Sequence, residues 1–208
     1  MDVIAGGTAG QIVDVRDPRR GRSAEDRIAD ALMRCIARWG LAKTTIEDLA
    51  REAGVSRATV YRVFPGGKPS ILVHAAHLQV SDIVGLLALE LAELETLDDV
   101  LVHGVSTAAT YLEEHEALAF MRAHEPVLLE QVLGFDRLDA LFLAAAALIG
   151  PVLERFLDAT RAREVTIWMT RVIVSYLSTP SELLDLTDRA QVHSFVRTIV
   201  MPGIAAGS

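Results

Sequence analysis

Residues 43–68 read KTTIEDLAREAGVSRATVYRVFPGGK, and they predict two short helices joined by a tight turn. Thr45 can cap the first helix, with Asp48 three residues later as its partner in a capping box. Gly54 supplies the left-handed residue that commonly ends a helix. Ser56 can then cap the second helix, which is short.

The outer side of this second helix has the chemistry of a DNA contact. Val60 and Phe64 fall on its inner face, which leaves polar and basic residues outward. Arginines can bind phosphates or guanine edges, and hydroxyl groups can bind phosphate oxygens or bases. A short polar helix braced by a partner helix also fits the major groove. The predicted DNA-contacting residues are Thr44, Thr45, Ser56, Arg57, Thr59, Tyr61, Arg62 and Lys68.

Residues 44–64, followed by Lys68, resemble the DNA-binding domain of TetR-type transcriptional regulators. The resemblance covers residues 24–70. It implies an all-α homodimer that usually represses transcription and is released from DNA by a small ligand in its C-terminal domain. The chain departs from the common pattern at Val63, where many relatives have Tyr or His. Its loop at residues 65–67 is also about one residue longer than the commonest form.

The net charge of −8 is unevenly distributed along the chain. From Arg16 to Lys68, 12 basic and 7 acidic side chains give +5, whereas the remainder holds 8 basic and 21 acidic side chains and gives −13. A positive end on an acidic molecule would orient it on a phosphate backbone and make binding depend on salt.

The helical pattern predicts an all-α fold in three parts. Residues 1–22 form a flexible basic arm, whose arginines either belong to a disordered tail or reach a minor groove. Residues 23–68 form a three-helix helix-turn-helix domain, and residues 69–208 form a larger helical domain for ligand binding and dimerisation. Helices are expected over 23–39, 69–93, 97–114, 116–123, 125–133, 136–160, 163–179 and 188–201, in addition to the two short ones.

The helices expected over 163–179 and 188–201 are apolar around most of their circumference, so each needs cover on more than one side. One side can pack on the domain, and the other can pair with a second copy in a four-helix interface. A monomer with a thicker core is the alternative. A dimer would span successive major grooves of an inverted-repeat operator. The predicted interface residues are Thr170, Val174, Leu177, Val192, Phe195, Val196 and Ile199.

The middle helices contain bulky or polar-tipped residues that could line a pocket. A mostly apolar cavity with a few polar anchors would suit a hydrophobic or amphipathic small-molecule effector. Each of these residues could equally belong to an ordinary core. The predicted ligand-binding residues are Tyr111, Phe120, Met121, His124, Phe142 and Trp168.

Several other classes of site and function lack their sequence signals. A Gly-rich phosphate loop, a nucleophile elbow and an HExxH motif are missing, so no catalytic residue is predicted. His103, His115 and His124 lack the spacing of metal ligands, and neither a metal nor a cofactor is expected. An interaction module that has lost specific DNA binding remains the alternative to a DNA-binding regulator.

Cysteine usage and hydropathy indicate a cytoplasmic protein. The single cysteine, Cys35, excludes an internal disulfide, and its helical spacing favours core packing over redox sensing. The longest uncharged run, Ala140 to Leu153, is 14 residues, shorter than the ~20 residues that span a bilayer. No targeting segment is visible, and no membrane partner is expected.

Overall fold

The computed structural model describes residues 23–132, 139–179 and 182–205. The predicted basic arm over 1–22 lies outside these ranges. Within them the chain is helical without a β-strand, which confirms the all-α class. The elements are α1 (Ala24–Trp39), α2 (Ile46–Ala53), α3 (Arg57–Val63), α4 (Lys68–Ala92), α5 (Leu97–Glu114), α6 (Glu116–His124), α7 (Pro126–Val132), α8 (Asp139–Leu153), α9 (Ala159–Ser178), α10 (Arg189–Phe195), a π turn (Val196–Val200) and α11 (Met201–Ala205).

Local capping interactions begin the first three helices at the predicted positions. Ser23 and Asp26 form a capping box at α1, and Thr45 and Asp48 form another at α2. The hydroxyl of Ser56 accepts a hydrogen bond from a backbone amide in the first turn of α3. Each cap satisfies amides that have no partner inside their own helix, so the starts of these helices follow from nearby sequence.

The turn between α2 and α3 depends on Gly54. This residue is left-handed, with φ 67° and ψ 37°. The following amide, of Val55, donates to the carbonyl of Ala50 at 2.9 Å. This C-terminal cap sets the angle at which α3 leaves α2, as the sequence predicts.

The apolar side chains form two principal cores. The first is built on the buried face of α1, including Ile28, Leu32 and Ile36, and receives α2, α3 and the start of α4. Residues of α6 and α7 also enter this first core, among them Met121 and Leu129. The second core joins the rest of α4 to α5 and α8 through α11. The predicted boundary after residue 68 therefore does not coincide with the boundary between the cores.

Cys35 lies in the first core and is fully buried. Burial raises the pKa of its thiol, so the thiol stays protonated at neutral pH. This placement confirms the packing role that the sequence favours over redox sensing.

Two of the long helices differ from their predicted boundaries. The helix expected over 136–160 ends at Leu153, shortly after Pro151, and Asp158 caps α9 by accepting from the amide of Arg161 at 3.0 Å. Helix α9 thus begins at Ala159 and not at residue 163. The last helix continues beyond residue 201, because a π turn precedes Pro202. A wider turn accommodates a proline, which has no amide hydrogen to donate.

Helix α4 connects the two cores. Its 25 residues make it the one helix in the described ranges that is long and apolar enough to cross a membrane. Helix α4 is not the longest uncharged run of the sequence, because it includes Asp82 and Glu90. In the structure α4 packs against α1, α5 and α8, as a connecting helix of a helical protein does.

Two glycine substitutions should change stability in opposite directions. Gly54→Ala should destabilise by about 1 kcal/mol, because an L side chain is strained in the left-handed region even where space is open. Gly85→Ala in α4 should stabilise by up to about 1 kcal/mol, since alanine favours a helix interior and its methyl group meets no atom within 4 Å. Urea unfolding curves test both. Destabilisation by both variants would contradict the conformational argument.

Candidate nucleic-acid interface

Helix α3 presents a basic and hydroxyl-bearing surface to solvent. Val60 is completely buried and Phe64 nearly so, which fixes the rotation of the helix on the first core. Arg57 and Arg62 are exposed, and Tyr61 is 47% exposed. The seven residues of α3 include no acid. We call the outward side chains of α2 and α3, together with the loop before α2, the α2–α3 surface.

An ion pair links the two helices on this surface. The Arg57 guanidinium lies 2.6 Å from a carboxylate oxygen of Glu47, and both side chains are more than half exposed. Exposed ion pairs contribute little stability. A phosphate could therefore replace Glu47 as the partner of Arg57 at small cost.

The predicted hydroxyl groups serve first as helix caps. The Thr45 hydroxyl donates to Asp48 at 2.6 Å, and the hydroxyls of Ser56 and Thr59 lie 2.9 Å apart. Thr45 and Ser56 are exposed, whereas Thr59 is half-buried. The hydrogen bond from the Thr45 side chain lowers the pKa of Asp48, so this carboxyl stays ionised at neutral pH. Any DNA contact by these hydroxyls has to coexist with capping.

The structure corrects the prediction for Thr44 and gives Lys68 another role. Thr44 is 1% exposed, and its hydroxyl donates to the carbonyl of Gly40 at 2.7 Å. It is thus a buried turn residue and not a DNA contact. The ammonium of Lys68 donates to the carbonyls of Leu41 at 3.0 Å and Thr44 at 2.8 Å. A phosphate would have to compete with both carbonyls for Lys68.

The structure adds one basic residue to the predicted set. Lys43 is exposed in the loop that leads into α2, next to Thr44 and Thr45. The charge of Lys43 is evident from the sequence, but its exposure is known only from the path of the loop in the structure. Lys43 therefore belongs to the α2–α3 surface.

Glu52 joins α2 to α1. Its carboxylate accepts from the Arg34 guanidinium at 2.6 Å and from Arg38 at 3.2 Å. The hydrogen bond from Arg34 lowers the pKa of Glu52, and the positive charges of both arginines act in the same direction. The sequence carries no local signal for this contact, because its partners lie 18 and 14 residues away.

The six predicted ligand-binding residues do not come together in one pocket. Met121 is buried in the first core, and the Phe120 ring lies 4.6 Å from that of the exposed His124. Phe142 is buried beneath the Arg171 guanidinium, 4.2 Å from its ring centre. Trp168, in contrast, is 52% exposed.

Tyr111, the remaining member of that set, contacts α4. Its hydroxyl donates to the Gln79 side-chain oxygen at 2.9 Å, and His115 lies 3.1 Å from the same oxygen. Burial raises the pKa of Tyr111 and lowers the pKa of His115, so both side chains are neutral at pH 7. This network joins α4 to the junction between α5 and α6.

A cavity of about 70 Å³ lies instead between α4, α5, α8 and α9. Gly104 and Leu91 border it, as do the hydroxyl-bearing Thr166 and Thr170. Both hydroxyls already donate to backbone carbonyls one turn earlier, at 2.8 Å. Of the described residues that line the cavity, none is charged. The predicted set of bulky and polar-tipped residues does not include these residues, because the lining consists mainly of aliphatic side chains and one glycine.

Most of the predicted dimer residues lie inside the chain's own fold. Val192 and Val196 are completely buried against the second core, and Val174 is buried beside Phe142. Thr170 faces the cavity, and the side chain of Leu177 lies outside the described part of the structure. Phe195 is partly buried, and Ile199 is exposed. The apolar stripe that suggested a partner chain is therefore used mainly by the chain itself.

Metal binding has no support in the part of the chain that the structure describes. No group of three or more His, Cys, Asp or Glu side chains there is arranged to hold an ion. His103, one of the candidates considered, lies 2.8 Å from a Glu90 oxygen and 3.3 Å from Arg189. These contacts connect α4, α5 and α10.

Comparison with known proteins gives a family match in the N-terminal region. The family model described as "Bacterial regulatory proteins, tetR family" matches residues 28–75. An HTH-type transcriptional regulator of Mycobacterium tuberculosis H37Rv, itself uncharacterised, is 27% identical over 190 residues, which cover 90% of this chain and 91% of that protein. A second such regulator of this strain is 34% identical over 71 residues, covering 34% of this chain and 37% of the relative.

Solved structures share the whole fold at lower identity. The TetR family repressor AlkX from a Dietzia species, implicated in biodegradation of n-alkanes, is 20% identical with a TM-score of 0.69, covering 92% of this chain and 97% of its own. The fatty acid degradation regulator FadR from Bacillus halodurans is 18% identical with a TM-score of 0.57, covering 86% and 97%. The match to a family of regulators, and not of enzymes, agrees with the sequence analysis.

Replacing Glu52 should test the ion-pair contact between α1 and α2. Because the pKa of Glu52 is lowered in the folded protein, the contact contributes its full stabilisation at pH values above the ordinary pKa of glutamate. This contribution is lost as the pH falls through the pKa that Glu52 has in the folded state. Glu52→Gln should therefore cost about 1 kcal/mol or less at pH 7 and still less at pH 3. Urea unfolding at the two pH values measures the difference, with the exposed Glu113→Gln as control. An equal loss at both pH values would assign the effect to packing.

Proposed function

Because the chain belongs to the tetR family of bacterial regulatory proteins, we propose that it represses transcription from an inverted-repeat operator and is released by a small apolar ligand. It is a DNA-binding transcriptional regulator, as members of this family are. The proposal concerns what it binds: double-stranded DNA through α3, a second copy of itself, and an effector in the cavity of the second core. Regulation of transcription would take place in the cytoplasm, where a bacterial chromosome lies.

The observation that carries the DNA-binding proposal is the fixed orientation of α3. Val60 and Phe64 anchor the helix on the first core, which turns Arg57, Tyr61 and Arg62 toward solvent together. A short helix with this outward chemistry can enter a major groove and contact both bases and phosphates. Lys43 and Thr45, at the start of α2, are placed to contact the flanking backbone.

Exposed apolar side chains support a homodimer that differs from the predicted one. Helices α8 and α9 pack closely on each other. Their outer side exposes Leu143, Leu148 and Trp168. A second copy that covered this side would form a four-helix interface, with α8 taking the place of α10 in the predicted interface. Two copies of α3 would then face the two halves of an inverted repeat.

The apolar lining of the cavity supports an uncharged aliphatic effector. A carboxylate would find no cationic side chain among the described lining residues. The volume of about 70 Å³ is well below the roughly 300–1,000 Å³ of ordinary ligand pockets. An effector of several carbons would therefore favour a conformer in which α4, α5, α8 and α9 lie farther apart. The two similar solved structures are named as a repressor implicated in biodegradation of n-alkanes and as a fatty acid degradation regulator, and both names refer to aliphatic molecules.

Variants of α3 test DNA binding. The purified protein first selects fragments from the genome of its source at near-physiological salt. Arg62→Ala and Tyr61→Phe should each weaken binding to the selected fragment by about tenfold or more, because each removes a contact to the groove. The Arg62 variant should also show a smaller dependence on salt if that residue contacts phosphate. Fluorescence anisotropy over a salt series measures both quantities.

Arg163→Ala is the matched control, because Arg163 is an exposed arginine on α9 and lies outside the α2–α3 surface. Recovery of an inverted repeat would support the dimer. If the α3 variants bound the fragment as tightly as the wild type, the assignment of DNA binding to α3 would be wrong. If the wild type selected no fragment, the interaction-module alternative would be favoured.

Filling the cavity tests the effector site. Gly104→Val places a side chain whose Cβ lies 3.4 Å from Leu91, so its methyl groups occupy part of the space. The variant should bind straight-chain primary alcohols from butanol to decanol at least tenfold more weakly than the wild type, by calorimetric titration. Gly85→Val, the same change at an open position of α4, should bind them normally. Equal binding by the two variants would exclude this cavity, and preference for the corresponding carboxylates would exclude an uncharged ligand.

A further inference from the structure

The turn that precedes α2 is held from two sides. Residues 40–44 form this turn, which we call the 40–44 turn. The Glu125 carboxylate accepts from the amide of Leu41 at 2.7 Å and from the amide of Ala42 at 2.9 Å, one with each oxygen. From the other side, Lys68 donates to two carbonyls of the same turn. The amides and carbonyls of an exposed turn usually bond to water, so two dedicated charged partners are unusual.

Glu125 also makes a close approach to the turn that requires glycine. Gly40 has φ 85° and ends α1. A Cβ atom at this position would lie 2.7 Å from a Glu125 oxygen and 2.8 Å from the Phe120 ring. Both the conformation and the space therefore demand glycine here, and the α6–α7 junction sits directly against the end of α1.

Glu125 is far from the turn in sequence, by 84 residues. It follows α6 and precedes α7, and its own amide donates to the Met121 carbonyl at 2.8 Å. Met121 and Leu129, one turn before and one turn after it, are buried in the first core. Glu125 thus rests on helices from the C-terminal part of the chain that pack beneath the DNA-binding helices.

A continuous set of contacts joins Glu125 to the cavity. Gly104 and Val105 of α5 line the cavity, and α5 ends at Glu114. His115 then caps α6, and its ring lies near Gln79 of α4. A displacement of α5 by a bound ligand would therefore be passed to α6, and α6 ends at the residue before Glu125.

We propose that the two hydrogen bonds from Leu41 and Ala42 to Glu125 are the contact through which the state of the cavity sets the position of α2 and α3. This proposal rests on the function proposed above and specifies its regulation. Glu125 acts as a positioning residue: it does not touch DNA but holds the 40–44 turn, and the turn leads into the cap of α2. Helix α4 provides one route from the cavity to the DNA-binding helices, and α5, α6 and Glu125 provide a second route, whose last step is non-covalent.

The test uses the full chain and needs no identified effector. Gly104→Val serves as the perturbation of the cavity, and Gly104→Ala replaces it if the valine variant does not fold. Glu125→Gln preserves the shape of the side chain but turns one acceptor into a donor, which cannot pair with an amide N–H. Glu130→Gln is the matched control, because Glu130 is an exposed glutamate one turn farther along α7.

Amide exchange of Leu41 and Ala42, measured by NMR, reports the contact itself. Glu125→Gln should speed exchange at both amides at least tenfold, while Val192 and Val196 in the second core and the control variant are unchanged. Gly104→Val should also change exchange at Leu41 and Ala42, but only when Glu125 is present. If filling the cavity left these two amides unaffected, the proposed route would be wrong, whether or not the protein binds DNA.

Affinity for the DNA fragment selected by the wild type gives the functional readout. Gly104→Val should change this affinity, and its effect should be at least threefold smaller in the Glu125→Gln background. Such non-additivity is the signature of a shared route. Additive effects would mean that Glu125 supports the fold without transmitting the state of the cavity, and would overturn the proposal. Failure of the wild type to select any DNA would count against the proposed function, while the exchange experiment would still test the contact.

Discussion

The burial of Val60 and Phe64 against the first core determines how the α2–α3 surface is presented. Helix α3 has only seven residues, so two anchored side chains fix its rotation. With that rotation fixed, Arg57, Tyr61 and Arg62 are all exposed. The left-handed Gly54 sets the angle between α2 and α3, and the ion pairs of Glu52 join α2 to α1. The arrangement of the α2–α3 surface therefore depends on how its helices pack on the first core.

The parts of this structure that the sequence predicts are those set by neighbours a few residues apart. Ser23, Thr45 and Ser56 cap helices through amides in the first turn, and Gly54 needs only its own backbone geometry. The all-α class and the starts of α1 through α3 follow from these local interactions. The predicted ends of helices farther along the chain are less accurate, because the cap at Asp158 and the π turn before Pro202 interrupt stretches that the helical pattern alone continues.

Other features of the site are not predicted, because helical periodicity does not tell which partner a side chain contacts. Val192 and Val196 form an apolar stripe that would suit a partner chain or the chain's own core, and the fold uses them in its core. The sequence predicts Lys68 only as a DNA contact and gives Glu125 no role, yet each binds backbone groups that lie 24 or more residues away. The cavity is lined mainly by aliphatic side chains together with Gly104, and such residues look the same in sequence as those of an ordinary core.

The small cavity and the shared first core together constrain how a ligand could act. Because the cavity holds about 70 Å³, an apolar molecule of several carbons would be fully buried there only if the surrounding helices moved apart. Of those helices, α4 and α5 lead directly into the first core, through Ile71 and through the junction with α6. Under the proposed mechanism, expansion of the second core would strain the packing of α6 against α1. The 40–44 turn is hydrogen-bonded to both Glu125 and Lys68. The strain would therefore reach α2 and α3 through this turn.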